Sequence, residues 1–222
     1  MRPLLIYVIA YLVLLIVVLG LMYAYPKTEL HMLLNAYHAS FEDTFFKYYT
    51  LLAEWPLYVL ALLPLLWKKL KLTLFFVMSE LTGGAFVQLL KHLFSEDRPV
   101  AVFEHYPDLT LPLVEGVNMR HSNSFPSGHS STFFMFCTCL VIILAIHYYR
   151  KKKLTLQRKV LFKATFLMLL FLAALGAYSR VYLSQHFLSD VCVGSIIGFT
   201  TPFLIYYFCK DKILKLNNKE EQ

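Results

Sequence analysis

The stretch SFPSGHSS, residues 124–131, leads into the apolar run FFMFCTCLVIILAI, residues 133–146. The run is typical of a helix in a lipid bilayer, and the proline, glycine and serines before it are typical of a helix start. His129 stands at this entrance, where a bilayer helix by itself has no need of an imidazole. The stretch therefore predicts a membrane helix that begins at a functional site.

The composition is that of an integral membrane protein. Of the 222 residues, 58% are hydrophobic and 16% are charged, and the mean hydropathy is +0.57. A soluble domain carries about 25% charged residues. The net charge of +7 does not indicate nucleic acid, because the basic residues form short runs beside apolar segments. The cysteines lie within apolar stretches and are expected to be packing residues: Cys137, Cys139, Cys192 and Cys209.

The hydropathy pattern predicts an all-α fold, a bundle of six transmembrane helices that forms one membrane domain over residues 1–222. A helix needs roughly 20 residues to cross the hydrocarbon of a bilayer. The first apolar run is longer than a signal-peptide core and is expected to be retained. The predicted spans are residues 3–24, 51–67, 70–93, 129–149, 160–178 and 190–209.

Basic residues indicate the orientation of the spans. If the N-terminus is cytoplasmic, most of the 21 lysines and arginines fall on the cytoplasmic side, as the positive-inside rule requires. Both termini are then cytoplasmic. The basic residues on the other side need a further reason to be there: Lys27, Lys47, Lys91, Arg98, Arg120 and Arg180.

Span parity places three polar segments on the same outer face: the end of the third span, the start of the fourth, and SRVYLSQHFLSD, residues 179–190. They bring the cations Lys91, Arg98 and Arg180. A helix start at Gly128 supplies free backbone N–H groups that favour an anion.

Two histidines complete the chemistry of this face. Asp190 follows His186 by four residues and can accept one of its ring N–H groups, which leaves the other nitrogen as a nucleophile. His129 is suited to proton transfer. This set predicts a phosphoryl-transfer site. No Asp-rich cluster accompanies it, so neither a metal ion nor another cofactor is expected.

Three motifs in this order resemble the signature of the type 2 phosphatidic acid phosphatase family. They are K-x6-RP from Lys91 to Pro99, PSGH from Pro126 to His129, and SR-x5-H-x3-D from Ser179 to Asp190. Each motif alone is weak, but three in register are specific, and every motif position is matched.

The resemblance implies a role for each motif residue. His186 is expected to attack phosphorus and form a phosphohistidine, Asp190 to orient His186, and His129 to protonate the leaving oxygen. The residues expected to hold the phosphoryl oxygens are Lys91, Arg98, Ser127, Gly128 and Arg180. Similar family members need no metal and act on lipid phosphates or diphosphates.

The expected substrate is a lipid phosphate at the periplasmic face of a bacterial inner membrane, with no nucleic acid and no obligate protein partner. The outer loop, residues 100–123, and the phenylalanine in SFPSGHS resemble short members that act on lipid A, in lipopolysaccharide modification. Undecaprenyl diphosphate and phosphatidylglycerophosphate are alternative substrates, and a phosphotransferase would use the same residues. Five loop residues are candidate sugar contacts: Phe103, Tyr106, Glu115, Asn118 and His121.

Overall fold

The computed structural model describes residues 2–150 and 155–213, and these form α-helices joined by loops, with no β-strand among them. The all-α prediction is confirmed. Part of the predicted basic bias, residues 151–153, Lys215 and Lys219, lies outside the described residues. The helices are α1 (Arg2–Ala24), α2 (Lys27–Leu34), α3 (Ser40–Tyr49), α4 (Trp55–Lys68), α5 (Leu70–Phe94), α6 (Pro99–Phe103), α7 (Gly128–Arg150), α8 (Leu156–Tyr182) and α9 (Leu188–Ile213).

Within the described residues, five helices are long and apolar enough to cross a membrane: α1, α5, α7, α8 and α9. The predicted second span, 51–67, coincides with a 3-10 turn (Thr50–Ala53) followed by α4, which has 14 residues and contains Pro64. At 1.5 Å per residue α4 is about 21 Å long, less than the ~30 Å of a bilayer core. The six-span count therefore stays a prediction.

Helix α7 lies at the centre and packs against α5, α8 and α9. Two glycines on α9 allow a very close approach to it. A Cβ atom at Gly194 would overlap the carbonyl oxygen of Ser127, and one at Gly198 would overlap that of Ser131. Small residues four apart are a common way for membrane helices to bring their backbones together. The start of α7 is thereby fixed against the first turns of α9.

Polar contacts inside the apolar bundle fix the positions of individual helices. Tyr7 and Tyr11 of α1 hydrogen-bond to Thr138 at 2.9 Å and to Ser195 at 3.2 Å, which ties α1 to α7 and α9. Between α5 and α7, the hydroxyl of Thr132 donates to Oε1 of Glu80 at 2.6 Å. Glu80 is thus part of a hydrogen bond between helices, as buried polar groups in a membrane require.

The short helices α2 and α3 cover one end of the bundle. The sequence predicts an interfacial segment here, with His31 at the membrane surface. In the structure His31 is only 1% exposed, and its ring packs between those of Phe103 and Phe187. The interfacial prediction for His31 is wrong, because α2 packs its polar residues against the turn between α8 and α9.

Candidate active site

The three polar segments predicted to share one face come together at the end of the bundle that α2 and α3 cover. Nη1 of Arg98 donates to the carbonyl oxygen of Gln185 at 3.0 Å, and the backbone N–H of Ser127 donates to the carbonyl oxygen of Asp190 at 2.9 Å. They surround a cavity of about 590 Å³. Its polar lining includes Lys47, Thr50, Glu54, Gln88, Lys91, Arg98, Asn118, Arg120, His129, Arg180, Gln185 and His186.

Local backbone conformation delivers Lys91 and Arg98 to the cavity. Helix α5 ends at Ser95, whose φ of 44° is left-handed and whose N–H caps the carbonyl of Lys91 at 3.0 Å. The chain then turns and starts α6 with Pro99 at its first position, where proline is favoured. Lys91 is therefore in the last turn of one helix, and Arg98 immediately precedes the next.

A tight turn between α8 and α9 carries His186. The carbonyl oxygen of Arg180 accepts from the backbone N–H groups of both Gln185 and His186, at 2.9 and 3.1 Å, and Ser184 has a left-handed φ of 49°. Asp190 lies in the first turn of α9, and its Oδ2 accepts the N–H of Phe187 at 3.0 Å. His186 and Asp190 therefore meet across a capped helix start rather than along one helix face.

His186 is 2% exposed and its two ring nitrogens have different neighbours. Nδ1 lies 3.4 Å from Oδ2 of Asp190 and 3.5 Å from the hydroxyl of Ser124, whereas Nε2 lies 3.4 Å from Nη1 of Arg98. Burial lowers the pKa of His186 to about 3, helped by the charges of Arg180 and Arg98 and opposed by Asp190. The imidazole is therefore neutral at pH 7, with a free lone pair on one nitrogen.

The start of α7 forms another wall of the cavity. Gly128 and His129 both line it, and the first N–H groups of a helix have no intrahelical partner. A Cβ atom at Gly128 would have only an ordinary contact with Val87, at 3.8 Å. Across the described residues, no hydrogen bond restrains the His129 ring. This wall can accept an anion close to the backbone, beside a free imidazole.

Arg180 has a donor with no acceptor. It is 7% exposed; Nη1 donates to Thr50 at 2.8 Å and Nη2 to Oε1 of Gln185 at 3.4 Å, yet its buried Nε has no partner in the part of the chain described. A buried, unpaired donor is costly unless a ligand supplies the acceptor. The guanidinium is thus ready to bind an oxyanion.

Lys91 and Arg98 are held by the backbone that precedes α7. Nζ of Lys91 donates to the carbonyl oxygens of Asn123 at 2.5 Å and Ser124 at 3.3 Å. Nε of Arg98 donates to that of Ser122 at 2.9 Å. These contacts aim both cations at the cavity and hold the 122–124 backbone against the end of α5.

Two of the predicted site residues lie behind the cavity wall. Ser127 and Asp190 are both 0% exposed, and the Ser127 hydroxyl accepts from that of Ser130 at 2.9 Å. Other residues with functional contacts are absent from the sequence-based set. They are Thr50 and Gln185, which bond the arginines, and Ser124, which donates to Asp190 at 2.5 Å.

The outer loop lines the cavity with part of its length. Of the five candidate sugar contacts, Asn118 lines it, whereas Phe103 is buried against His31. His121 pairs with Glu104 at 3.3 Å, away from the cavity lining. The loop is fixed to the site because the Asn118 carbonyl accepts from Nε2 of Gln185 at 3.2 Å.

Carboxylates are scarce around this cavity. Among the described residues that line the cavity, one is acidic, Glu54. The described ranges contain no group of three or more His, Cys, Asp or Glu side chains placed to hold a metal ion. The cationic side chains among the described lining residues are lysines and arginines.

The bundle of apolar helices has, at one end, a basic cavity lined by two histidines, and such a site can bind a phosphate group. The chain belongs to the PAP2 superfamily, whose sequence profile matches residues 72–214. The resemblance carried by the three motifs is therefore confirmed.

Two similar proteins add detail to the family assignment. Dolichyldiphosphatase 1 of Dictyostelium discoideum is 33% identical over 106 residues, which are 48% of this chain and 42% of that protein, so the match spans less than half of the relative. The crystal structure of Aquifex aeolicus LpxE superposes with a TM-score of 0.63, over 82% of this chain and 94% of LpxE, at 23% identity. The chain has the fold of LpxE.

Proposed function

We propose that the chain removes a phosphate from a lipid headgroup through a phosphohistidine at His186. The observation that carries this proposal is the arrangement around that ring. Nδ1 faces Asp190 at 3.4 Å, while Nε2 faces a cavity that also contains Arg98, Arg180 and His129. A neutral imidazole held on one side by a carboxylate is an activated nucleophile.

Two steps complete the reaction. In the first, Nε2 of His186 attacks phosphorus, the bond from phosphorus to the lipid oxygen breaks, and that oxygen takes a proton from His129, which enters the step as the imidazolium. In the second, water attacks phosphorus and gives a proton to His129, the bond from phosphorus to Nε2 of His186 breaks, and inorganic phosphate is released. Asp190 accepts the Nδ1–H throughout and stabilises the positive charge that develops on the ring.

The cations are proposed to do the electrostatic work without a metal ion. Arg180 has its unpaired Nε, Arg98 has Nη1 beside His186, and Lys91 lies at the end of α5. The N-terminus of α7 at Gly128 adds backbone donors. Preorganised donors of this kind stabilise charge on a transferring phosphoryl group. Ser127 contributes indirectly, because its N–H donates to the Asp190 carbonyl and fixes this helix start against α9.

The proposed location is a bacterial inner membrane, with the site facing the periplasm. Lys91, Arg98 and Arg180 lie at the site end of the bundle, and Arg158 and Lys159 lie at the start of α8, at the other end. With the basic runs of the sequence on the cytoplasmic side, the cavity opens to the outer leaflet.

For the headgroup, lipid A phosphate follows from the resemblance of the outer loop. Asn118 is the loop candidate that lines the cavity and can contact a sugar. A lipid diphosphate is the second candidate, and the 33% identity to a dolichyldiphosphatase favours it. Phosphatidylglycerophosphate and transfer to a lipid hydroxyl use the same catalytic residues.

The two histidines give the test. With a lipid phosphate, we expect His186→Ala to leave activity at background, because the covalent route is lost. We expect His129→Ala to cost about 10²–10⁴-fold, and less with p-nitrophenyl phosphate, whose leaving group hardly needs a proton. Assays run in excess EDTA measure whether a metal is required.

Trapping the intermediate separates the roles. Brief reaction with ³²P-labelled substrate should label the wild type with an acid-labile, alkali-stable phosphate, and His186→Ala should show no label. If p-nitrophenyl phosphate restored activity to His186→Ala but not to His129→Ala, His129 would be the nucleophile and His186 the proton donor. Loss of turnover in EDTA that magnesium restores would contradict the metal-free site.

A further inference from the structure

Arg120 is a cation that the three motifs do not include. It lies in the outer loop between α6 and α7, on the side of the membrane where basic residues are disfavoured. It lines the 590 Å³ cavity and also an adjoining cavity of about 390 Å³. Lys91, Arg98 and Gln88 line both cavities too. The second cavity therefore adjoins the site and shares these four lining residues with it.

The side chains of Arg120 and Gln88 have no hydrogen-bond or ion-pair partner among the described residues. The other site arginines are held, Arg98 by the carbonyl of Ser122 and Arg180 by the hydroxyl of Thr50. In residues 2–150 and 155–213, no hydrogen bond or ion pair involves the side chain of Arg120 or Gln88. Gln88 precedes Lys91 by three residues, so both lie on one face of α5. Two unpaired polar side chains thus converge on one space.

The charge of the site exceeds what one phosphate neutralises. Glu54 faces five lining cations among the described residues: Lys47, Lys91, Arg98, Arg120 and Arg180. Arg120 lies close enough for its charge to act on Lys91, Arg98 and Arg180. A phosphate monoester carries at most about two negative charges. A diphosphate ester carries one more charge and a second group of oxygens.

We propose that Arg120 and Gln88 form a second phosphate subsite, which binds the phosphate that stays on the lipid when a lipid diphosphate is cleaved. Arg120 is then the residue that sets the preference for a diphosphate over a monophosphate. The motif residues bind the phosphoryl group that is transferred to His186, and Lys91 lies between the two subsites. This proposal rests on the proposed phosphatase function.

The test compares two substrates with the same tail, farnesyl diphosphate and farnesyl monophosphate, in detergent micelles. Initial phosphate release and the lipid product are measured for the wild type, Arg120→Gln and Arg120→Lys. A hydrogen bond to a charged group is worth about 1.5–3 kcal/mol, so Arg120→Gln should lower kcat/KM for the diphosphate about 10- to 100-fold. The monophosphate value should fall only about threefold, and Arg120→Lys should recover part of the loss.

Controls separate this proposal from the proposed function. Arg158→Gln removes one charge at the other end of α8 and should leave both substrates unchanged; the melting temperature of each variant reports its folding. Equal losses on both substrates, or no loss on either, would overturn the second subsite and leave the phosphatase function intact. Failure of the wild type to release phosphate from both farnesyl substrates, with lipid A still hydrolysed, would overturn the second subsite alone; failure on all three lipids would overturn both proposals.

Discussion

Ser124 contacts both the proposed nucleophile, His186, and the carboxylate that orients it, Asp190. Its hydroxyl lies 2.5 Å from Oδ2 of Asp190 and 3.5 Å from Nδ1 of His186, and its side chain is fully buried. A hydroxyl that donates to a buried carboxylate restricts that carboxylate to one orientation. Ser124 is therefore a positioning residue, because it acts on phosphorus only through Asp190 and His186.

Replacing Ser124 by alanine should lower kcat about tenfold and leave KM within about twofold, because a charge-assisted hydrogen bond is lost away from the substrate. Phosphate release from a lipid phosphate measures both constants. Ser195→Ala is the matched control, since Ser195 is also buried and bonds Tyr11 and the Cys192 carbonyl, within the bundle. A rise in KM with unchanged kcat would show that Ser124 contacts substrate instead.

At the residue scale, the sequence predicts those residues whose chemistry is unusual for their place. An imidazole at a bilayer helix start and a carboxylate four residues after a histidine are visible in the letters alone. Ser124 and Gln185 are not, because serine and glutamine are ordinary loop residues. Their importance arises from contacts with residues far away in sequence: Ser124 bonds Asp190, 66 positions later, and Gln185 bonds Arg98, 87 positions earlier.

At the scale of elements, α2 acts on the turn that carries His186. Nδ2 of Asn35, which caps α2, donates to the hydroxyl of Ser184 at 2.6 Å, and Nε2 of His31 lies 3.3 Å from the same oxygen. Lys27 lies 4.4 Å above the ring of Phe187. The left-handed turn at Ser184 is therefore held from outside the α8–α9 pair.

His31 makes this support sensitive to pH. Burial lowers its pKa to about 4, against the charge of Asp190, from an ordinary value near 6.5. As pH falls, the unfolded chain therefore takes up this proton at a higher pH than the folded protein. The free energy of unfolding decreases as pH falls from about 6.5 toward 4. The loss through His31 is about 3 kcal/mol. We expect His31→Gln to melt with a smaller dependence on pH than the wild type in this window.

The melting temperature of the detergent-solubilised protein between pH 7 and pH 4 measures this effect. His105→Gln is the control, because His105 is exposed and, among the described residues, its ring hydrogen-bonds to the nearby Ala101 carbonyl alone. Equal slopes for the wild type and His31→Gln would contradict the contribution of His31. The sequence could not predict it, because a polar helix is expected at the surface unless the partners that bury it are known.

At the scale of the whole molecule, hydropathy predicts the five long helices, whereas the crossing by residues 51–67 stays a prediction. The long spans exceed the length of a bilayer, so small boundary errors do not change their assignment. Residues 51–67 are apolar but contain Pro56 and Pro64, and the helix in this region, α4, has 14 residues. The 3-10 turn and α4 return the chain from Thr50, at the site, to the start of α5 at the opposite end.

The orientation of the bundle can be measured directly. In a background without native cysteines, Asn118→Cys should react with a membrane-impermeant maleimide in intact bacterial spheroplasts, because Asn118 is exposed at the mouth of the cavity. Arg158→Cys, at the other end of α8, should react only after lysis. The reverse pattern would place the site in the cytoplasmic leaflet.

Gly194 and Gly198 of α9 lie directly against the backbone of α7, and this contact limits which substitutions the protein can accept. On the outer faces of α1 and α8, one apolar side chain can replace another, since hydrocarbon accepts any of them. The strip of α9 beneath Asp190 has no such freedom, because any side chain there would push against main chain that cannot move aside. The lineage of this protein can thus vary most where it meets lipid, and least at two positions that never touch a substrate.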